Sequence, residues 1–216
     1  MPFRKLFLLF ALFALTTAYG ENRLSVRHYS LEEGLSQNNI QSILQDSRGY
    51  IWLATWNGLE RFDGYNFKNY KSYPTDSVRL SYNRITRIVA GYGSHIWCQI
   101  FGGHTYLFDS DTEQFLNPLA EQGDFVSGES ARIFPLKKGV TWIVTPDGKL
   151  YRVDERLLPG PLAVTEHDDK VASPSDFYTI TQDAEGNDWI LSRQESHDYN
   201  RALDMPATFR LISASA

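Results

Sequence analysis

Apolar and polar positions alternate along this chain in short runs, and clusters of Gly, Asp, Asn and Ser break the runs apart. The first four runs are "NIQSILQ" (39–45), "YIWLAT" (50–55), "LERF" (59–62) and "NFKNYK" (66–71). A two-residue period carried by β-branched and aromatic side chains predicts strands, because successive side chains on a strand face opposite sides of the sheet. "DSRG" (46–49) predicts the first turn, with Gly49 free to take a positive φ. "WNG" (56–58) predicts the second turn, and Asp63-Gly64 is a two-residue hairpin signal.

The unit recurs. Four of the five Trp residues stand at 52, 97, 142 and 189, at intervals of 45, 45 and 47. Their surroundings keep the same offsets. Gly58, Gly103 and Gly148 follow Trp52, Trp97 and Trp142 by six residues, and Gly49, Gly139 and Gly186 precede Trp52, Trp142 and Trp189 by three. Asp46 and Asp183 each lie six before their Trp, and "RFDG" (61–64) is echoed by "LFDS" (107–110) and "YRVD" (151–154). Strands are expected at 84–90, 95–100, 104–109 and 113–117 in the second unit. In the third they are expected at 131–137, 140–145, 149–154 and 161–166, with Pro135 weakening the first. The fourth begins with 176–182 and 187–192 and then loses the pattern. Four strands per repeat of this length predict an all-β, partial β-propeller of about four four-stranded antiparallel blades. The scattered Gly and the lack of a 3.6-residue period disfavour a helical solenoid. The blades are expected over 38–75, 76–122, 123–170 and, incompletely, 171–216, after a lead-in over 21–37.

Residues 1–20 break this pattern. Arg4 and Lys5 precede the apolar run "LFLLFALFAL" (6–15), and Ala18 and Gly20 fit a small-x-small cleavage rule. This reads as a signal peptide with a mature start near Glu21. The run is short for a bilayer-spanning helix, so no membrane span is expected beyond the signal peptide.

Composition narrows the chemistry. The 216 residues are 42% hydrophobic and 22% charged, with a formal net charge of -5, an ordinary globular balance. Such a charge offers no general attraction to phosphate backbones, so no nucleic-acid partner is expected for this segment. One cysteine, Cys98, rules out an intrachain disulfide and a Cys-rich metal site. It follows Trp97 in an apolar run and reads as a core residue. The five His residues (28, 95, 104, 167, 197) lack zinc spacing, although His95 and His104 could approach. "DSDTE" (109–113) alternates acids as calcium loops do, but it lacks the rest of an EF-hand loop and occupies a hairpin slot. "EHDD" (166–169) reads as a solvated loop between blades. No nucleophile elbow or base–nucleophile pairing is present. Neither a metal, nor a cofactor, nor catalysis is expected.

"GLSQNN" (34–39), "QDSRGYIWLATWNGLERFDGYNF" (45–67) and "QDAEGNDWIL" (182–191) resemble the two-component regulator propeller repeat. The resemblance covers residues 24 to 192 and is most complete in the first copy. It implies the N-terminal part of a periplasmic sensor in a hybrid two-component system. Such sensors respond to oligosaccharides, work as homodimers, and carry a membrane anchor and a histidine kinase that do not appear in this sequence. Two other functions remain open: a secreted propeller enzyme such as a lyase or glycosidase, and a truncated gene product without function of its own.

Under this reading the repeated Trp and Gly residues are structural, as blade packing and turns. Trp56 differs, because the other copies have no Trp in its place and it lies in the turn between strands two and three. Propeller ligands usually meet loops at one face or the central channel, so Trp56 and the adjacent Asn57 are the candidate ligand-binding residues. The alternatives are rim packing for Trp56 and turn shaping for Asn57.

Overall fold

The computed structural model describes residues 25–120, 131–146, 148–157, 163–167, 177–184, 187–192 and 208–212. The proposed signal peptide and Gly186 lie outside the described residues. The described residues form four antiparallel sheets in sequence order, a partial β-propeller. The first holds β1 (Ile40–Gln45), β2 (Ile51–Thr55), β3 (Gly58–Phe62) and β4 (Phe67–Tyr70). The second holds β5 (Ile85–Ala90), β6 (His95–Ile100), β7 (Thr105–Asp109) and β8 (Gln114–Leu116), and the third β9 (Arg132–Pro135), β10 (Val140–Val144), β11 (Leu150–Asp154) and β12 (Ala163–His167). Each pairs neighbour to neighbour. Pro135 is tolerated because it closes β9 rather than sitting within it. "EHDD" is partly strand, since Glu166 and His167 pair with Tyr151 and Leu150.

The fourth sheet holds β13 (Phe177–Gln182), β14 (Asp188–Ser192) and β15 (Thr208–Ile212), in that order. The third strand lies well beyond the point where the sequence pattern fades. β14 still presents a free hydrogen-bonding edge, and a segment from farther along fills it.

Strand alternation divides each blade into two faces. Trp52, Ala54, Leu59 and Tyr70 of the first blade share a core with Ile88, Ile96, Cys98 and Phe108 of the second. Trp97 and Leu107, on the other face of the second blade, join Ile133, Ile143, Tyr151 and Val153 of the third. Trp142, Val144 and Leu150 of the third meet Ile180 and Ile190 of the fourth. Each of these Trp residues therefore faces the following blade, and all three are fully buried. Cys98 is equally buried, and that burial pushes its thiol well above the ordinary range. On the far face of the first blade, the lead-in segment lays Tyr29 against Phe62 and Phe67 and buries Leu35.

A buried indole N–H needs an acceptor. In blades one and four the turn before the strand supplies it: Trp52 donates to Asp46 at 2.9 Å, and Trp189 to Asp183 at 2.9 Å. The same Asp46 carboxylate also accepts the amides of Arg48 and Tyr50, so it builds the turn as well. Blades two and three have Gly91 and Leu136 in that slot. There the acceptor comes from the next blade. Trp97 donates to Glu155 at 2.8 Å, and Trp142 to Asp188 at 2.8 Å. Gly91 makes room for this, because a Cβ there would lie 2.5 Å from Glu155 Oε2.

Glu155 also accepts from the amide of Tyr92 at 2.7 Å, pairs with His95 Nδ1 at 3.0 Å, and takes the hydroxyl of Thr141. Burial by itself would raise its pKa. The hydrogen bonds from His95, Thr141, Tyr92 and Trp97 outweigh burial and hold the carboxyl below its usual range.

Blades one and two are also clamped by the "DSDTE" hairpin. Arg48 reaches Asp111 at 2.8 Å and the hydroxyl of Ser110. Glu113 accepts from Lys68 at 2.6 Å and from the Tyr70 hydroxyl at 2.8 Å, with Arg61 at 3.6 Å. Burial and this bond together raise the Tyr70 phenol.

Two outcomes are expected. Gly91→Asp restores the residue of blades one and four, but crowds it against Glu155. It should destabilise the chain by about 3 kcal/mol. In a Glu155→Ala background it should cost much less, because the new carboxylate can take the Trp97 indole. Urea denaturation of the double-mutant cycle measures the coupling, and additive costs would contradict the clamp. The second outcome concerns pH. A carboxyl whose folded pKa is lowered stabilises fully above its unfolded value of about 4.3 and loses this as pH falls through the folded value. The stability gap between the chain and Glu155→Gln should therefore be widest near pH 7 and narrow steadily below about pH 4, read from urea midpoints.

Candidate functional site

The turns between the second and third strands of blades one and two emerge at the same end of the sheets. The segment joining the two blades arrives there too, just before β5. In the first blade Thr55 and Gly58 pair across the ends of β2 and β3, so Trp56 and Asn57 form the turn. Thr55 Oγ1 donates to the Gly58 carbonyl at 2.9 Å and accepts the Asn57 amide at 3.0 Å. The Asn57 carbonyl accepts from Asn69 at 2.9 Å. Asn57 is thus held through its backbone. Gly58 has φ +109°, and a Cβ there would lie 2.4 Å from the Tyr70 carbonyl, so only glycine fits. These constraints push the Trp56 side chain outward, where it is 41% exposed.

Phe101 stands 45 residues after Trp56, in the same slot of the second blade, and is 47% exposed. Its amide donates to the carbonyl of Arg84 at 2.9 Å, which ties the inter-blade segment to this turn. The guanidinium carbon of Arg84 lies 3.7 Å from the Trp56 ring centroid and 4.5 Å from that of Phe101. Tyr82, 56% exposed, meets Phe101 edge-on at 5.8 Å. The result is a cluster of three exposed rings around one arginine, built from two blades and their connection.

Of the two candidate residues, Trp56 belongs to this cluster and Asn57 flanks it. Phe101, Arg84 and Tyr82 were not singled out from the sequence. The offset of 45 from Trp56 was a readable signal for Phe101. No sequence rule placed Arg84, whose position depends on how two blades meet.

Apart from Gly58, which shapes the Trp56 turn, the repeat residues serve packing and turns. Trp52, Trp97 and Trp142 are buried between blades, and Trp189 is half-buried in the fourth. Gly49, Gly58, Gly103, Gly139 and Gly148 all have positive φ at turns. His95 and His104 stand at opposite ends of β6, since His95 is opposite Asp109 while the His104 carbonyl accepts the Ile100 amide. Among the described residues no group of three or more His, Cys, Asp or Glu could hold a metal ion, and no helix is long and apolar enough to cross a membrane.

Two concavities lie away from the cluster. One, of about 430 Å³, runs between β4 and β8 and is lined by Tyr70, Tyr73, Glu113 and Phe115. The other, of about 260 Å³, lies at the opposite end of the blades and is lined by Arg48, Gly91 and His95. Of their charged groups, Glu113, Arg48 and His95 already serve the inter-blade contacts described above. The ring cluster, where exposed aromatic side chains of two blades converge, is the candidate site.

Sheets of this order, with an aromatic loop site at one end, define a propeller built of sequence-repeat blades. Residues 34–57 match the family described as two component regulator propeller. A stretch of 74 residues, 34% of the chain, is 34% identical to histidine kinase P4 of Formosa agariphila, of which it covers 5%. Two solved structures of one extracellular domain from B. thetaiotaomicron share the fold. One is described for a hybrid two component system, with TM-score 0.51 and 24% identity over 78% of this chain and 24% of that one. The other is described for a one component system, with TM-score 0.52 and 24% identity over 77% of this chain and 24% of that one. The chain spans about a quarter of each. The family match thus falls on the first blade and the segment leading into it.

The cluster's geometry can be tested without a ligand. A double-mutant cycle of Trp56→Ala and Arg84→Met should give a coupling of about 0.5–1 kcal/mol, the scale of a partly exposed cation–π contact. Urea denaturation reads it, and a coupling of zero would show that the ring and the cation do not interact.

Proposed function

We propose that this chain is a ligand-sensing propeller segment of a two-component signalling protein, exported to the periplasm, and that its ligand is an oligosaccharide. The observation that carries this is the exposed cluster of Trp56, Phe101 and Tyr82 at one end of adjacent blades. Sugar rings present apolar C–H faces, and exposed aromatic rings offer matching flat surfaces. The sequence match to the propeller repeat and to a stretch of a histidine kinase supports the signalling context. In this reading the segment works by binding alone. The ligand shifts the equilibrium of a receptor dimer by its differential affinity for two states, and kinase chemistry belongs to another part of the receptor.

The test uses the full chain and a panel of purified oligosaccharides. Trp52, Trp97 and Trp142 are buried and Trp189 is half-buried in the fourth blade, so a saturable change in indole fluorescence that is lost in Trp56→Ala reports on Trp56. Trp56→Ala should abolish most of that change and weaken calorimetric affinity at least tenfold, about 1.4 kcal/mol. Cleavage of any saccharide during the titration, seen by chromatography, would contradict the sensing role and favour an enzyme.

A further inference from the structure

Arg84 is the anomaly in the cluster. Arg48, Arg61, Lys68, Arg152 and Arg156 each stand within ion-pair distance of a carboxylate. Among the described residues Arg84 does not, in a chain whose acids outnumber its bases. Its Nε is buried and has no hydrogen-bond partner. Its guanidinium lies against the rings of Trp56 and Phe101. Those rings attract the cation but supply no oxygen acceptor for its N–H groups, which form a rigid fork suited to a planar or tetrahedral oxyanion. A cation held in place without a counter-charge or hydrogen-bond partner calls for a reason.

The Phe101 amide holds the Arg84 backbone, and the two rings hold its head group. The cation is thus oriented before any ligand arrives, which lowers the ordering cost of binding. We propose that Arg84 recognises an acidic group on the saccharide, a uronate carboxylate or a sulfate ester, while the neighbouring rings take the sugar faces. The ligand is then an anionic oligosaccharide, an inference that rests on the saccharide-sensing reading above.

The test compares matched pairs on the full chain by calorimetry: oligogalacturonate with its methyl ester, and a sulfated galactan oligosaccharide with its desulfated form. The first pair probes carboxylate, the second sulfate. The charged member of one pair should bind at least tenfold more tightly than its neutral partner, and the gap should shrink as salt rises. Arg84→Met should erase that gap, so that charged and neutral members bind alike, while the circular dichroism spectrum stays unchanged. Arg84→Lys, which keeps the charge but not the fork, should keep part of it. Equal binding of charged and neutral members, unaffected by Arg84→Met, would overturn the anion assignment and leave saccharide sensing standing. Absence of binding by every member of both pairs would overturn both.

Discussion

The structure turns on one requirement: an indole N–H buried between blades must find an acceptor. A tryptophan large enough to fill the space between two sheets brings a polar atom with it, and leaving that atom unpaired would forfeit about 1–3 kcal/mol. The four copies meet the requirement in two ways. Blades one and four use Asp46 and Asp183 in their own turns. Blades two and three borrow Glu155 and Asp188 from the blade that follows. The first solution makes a blade self-sufficient. The second makes a blade's core depend on its neighbour, so the Trp97 and Trp142 environments are complete only when the next sheet is in place. In a linear array of repeats this kind of interface term decides how cooperatively the units fold.

The borrowed carboxylates also explain features that would otherwise look like decay of the repeat. Gly91 replaces the aspartate of the first copy, and its missing side chain is the space Glu155 enters. Glu155 gathers Trp97, Thr141, His95 and the Tyr92 amide around one charge. The "DSDTE" hairpin is comparable: its acids shape the turn, and Ser110, Asp111 and Glu113 grip the preceding blade. Read as a possible calcium loop or a plain turn, it proves to be a turn with a second task.

The candidate site follows from the same stacking. The two-residue turn at Trp56 and Asn57 is local, enforced by Gly58 and the Thr55 hydroxyl, and it was legible as an exception to the repeat. Phe101 was legible in principle, since it occupies the Trp56 slot one period later. Arg84 and Tyr82 were not. They lie on the segment between blades, where no period applies, and their neighbours are set by the angle at which two sheets meet.

By itself the sequence determined the unit: strand positions to within a residue or two, the turn glycines, the inward Trp, and the number of sheets. Those properties come from alternation, turn chemistry and a fixed period, which act over a few residues and survive in any blade. Only the tertiary structure decided which carboxylate serves which indole, that Thr208–Ile212 completes a third strand on the fourth sheet, and that Arg84 sits unpaired between two rings. Each of these joins residues that are far apart in sequence or held by a loop without pattern. Its outcome depends on the packing of one blade on the next, a relation that no single repeat contains.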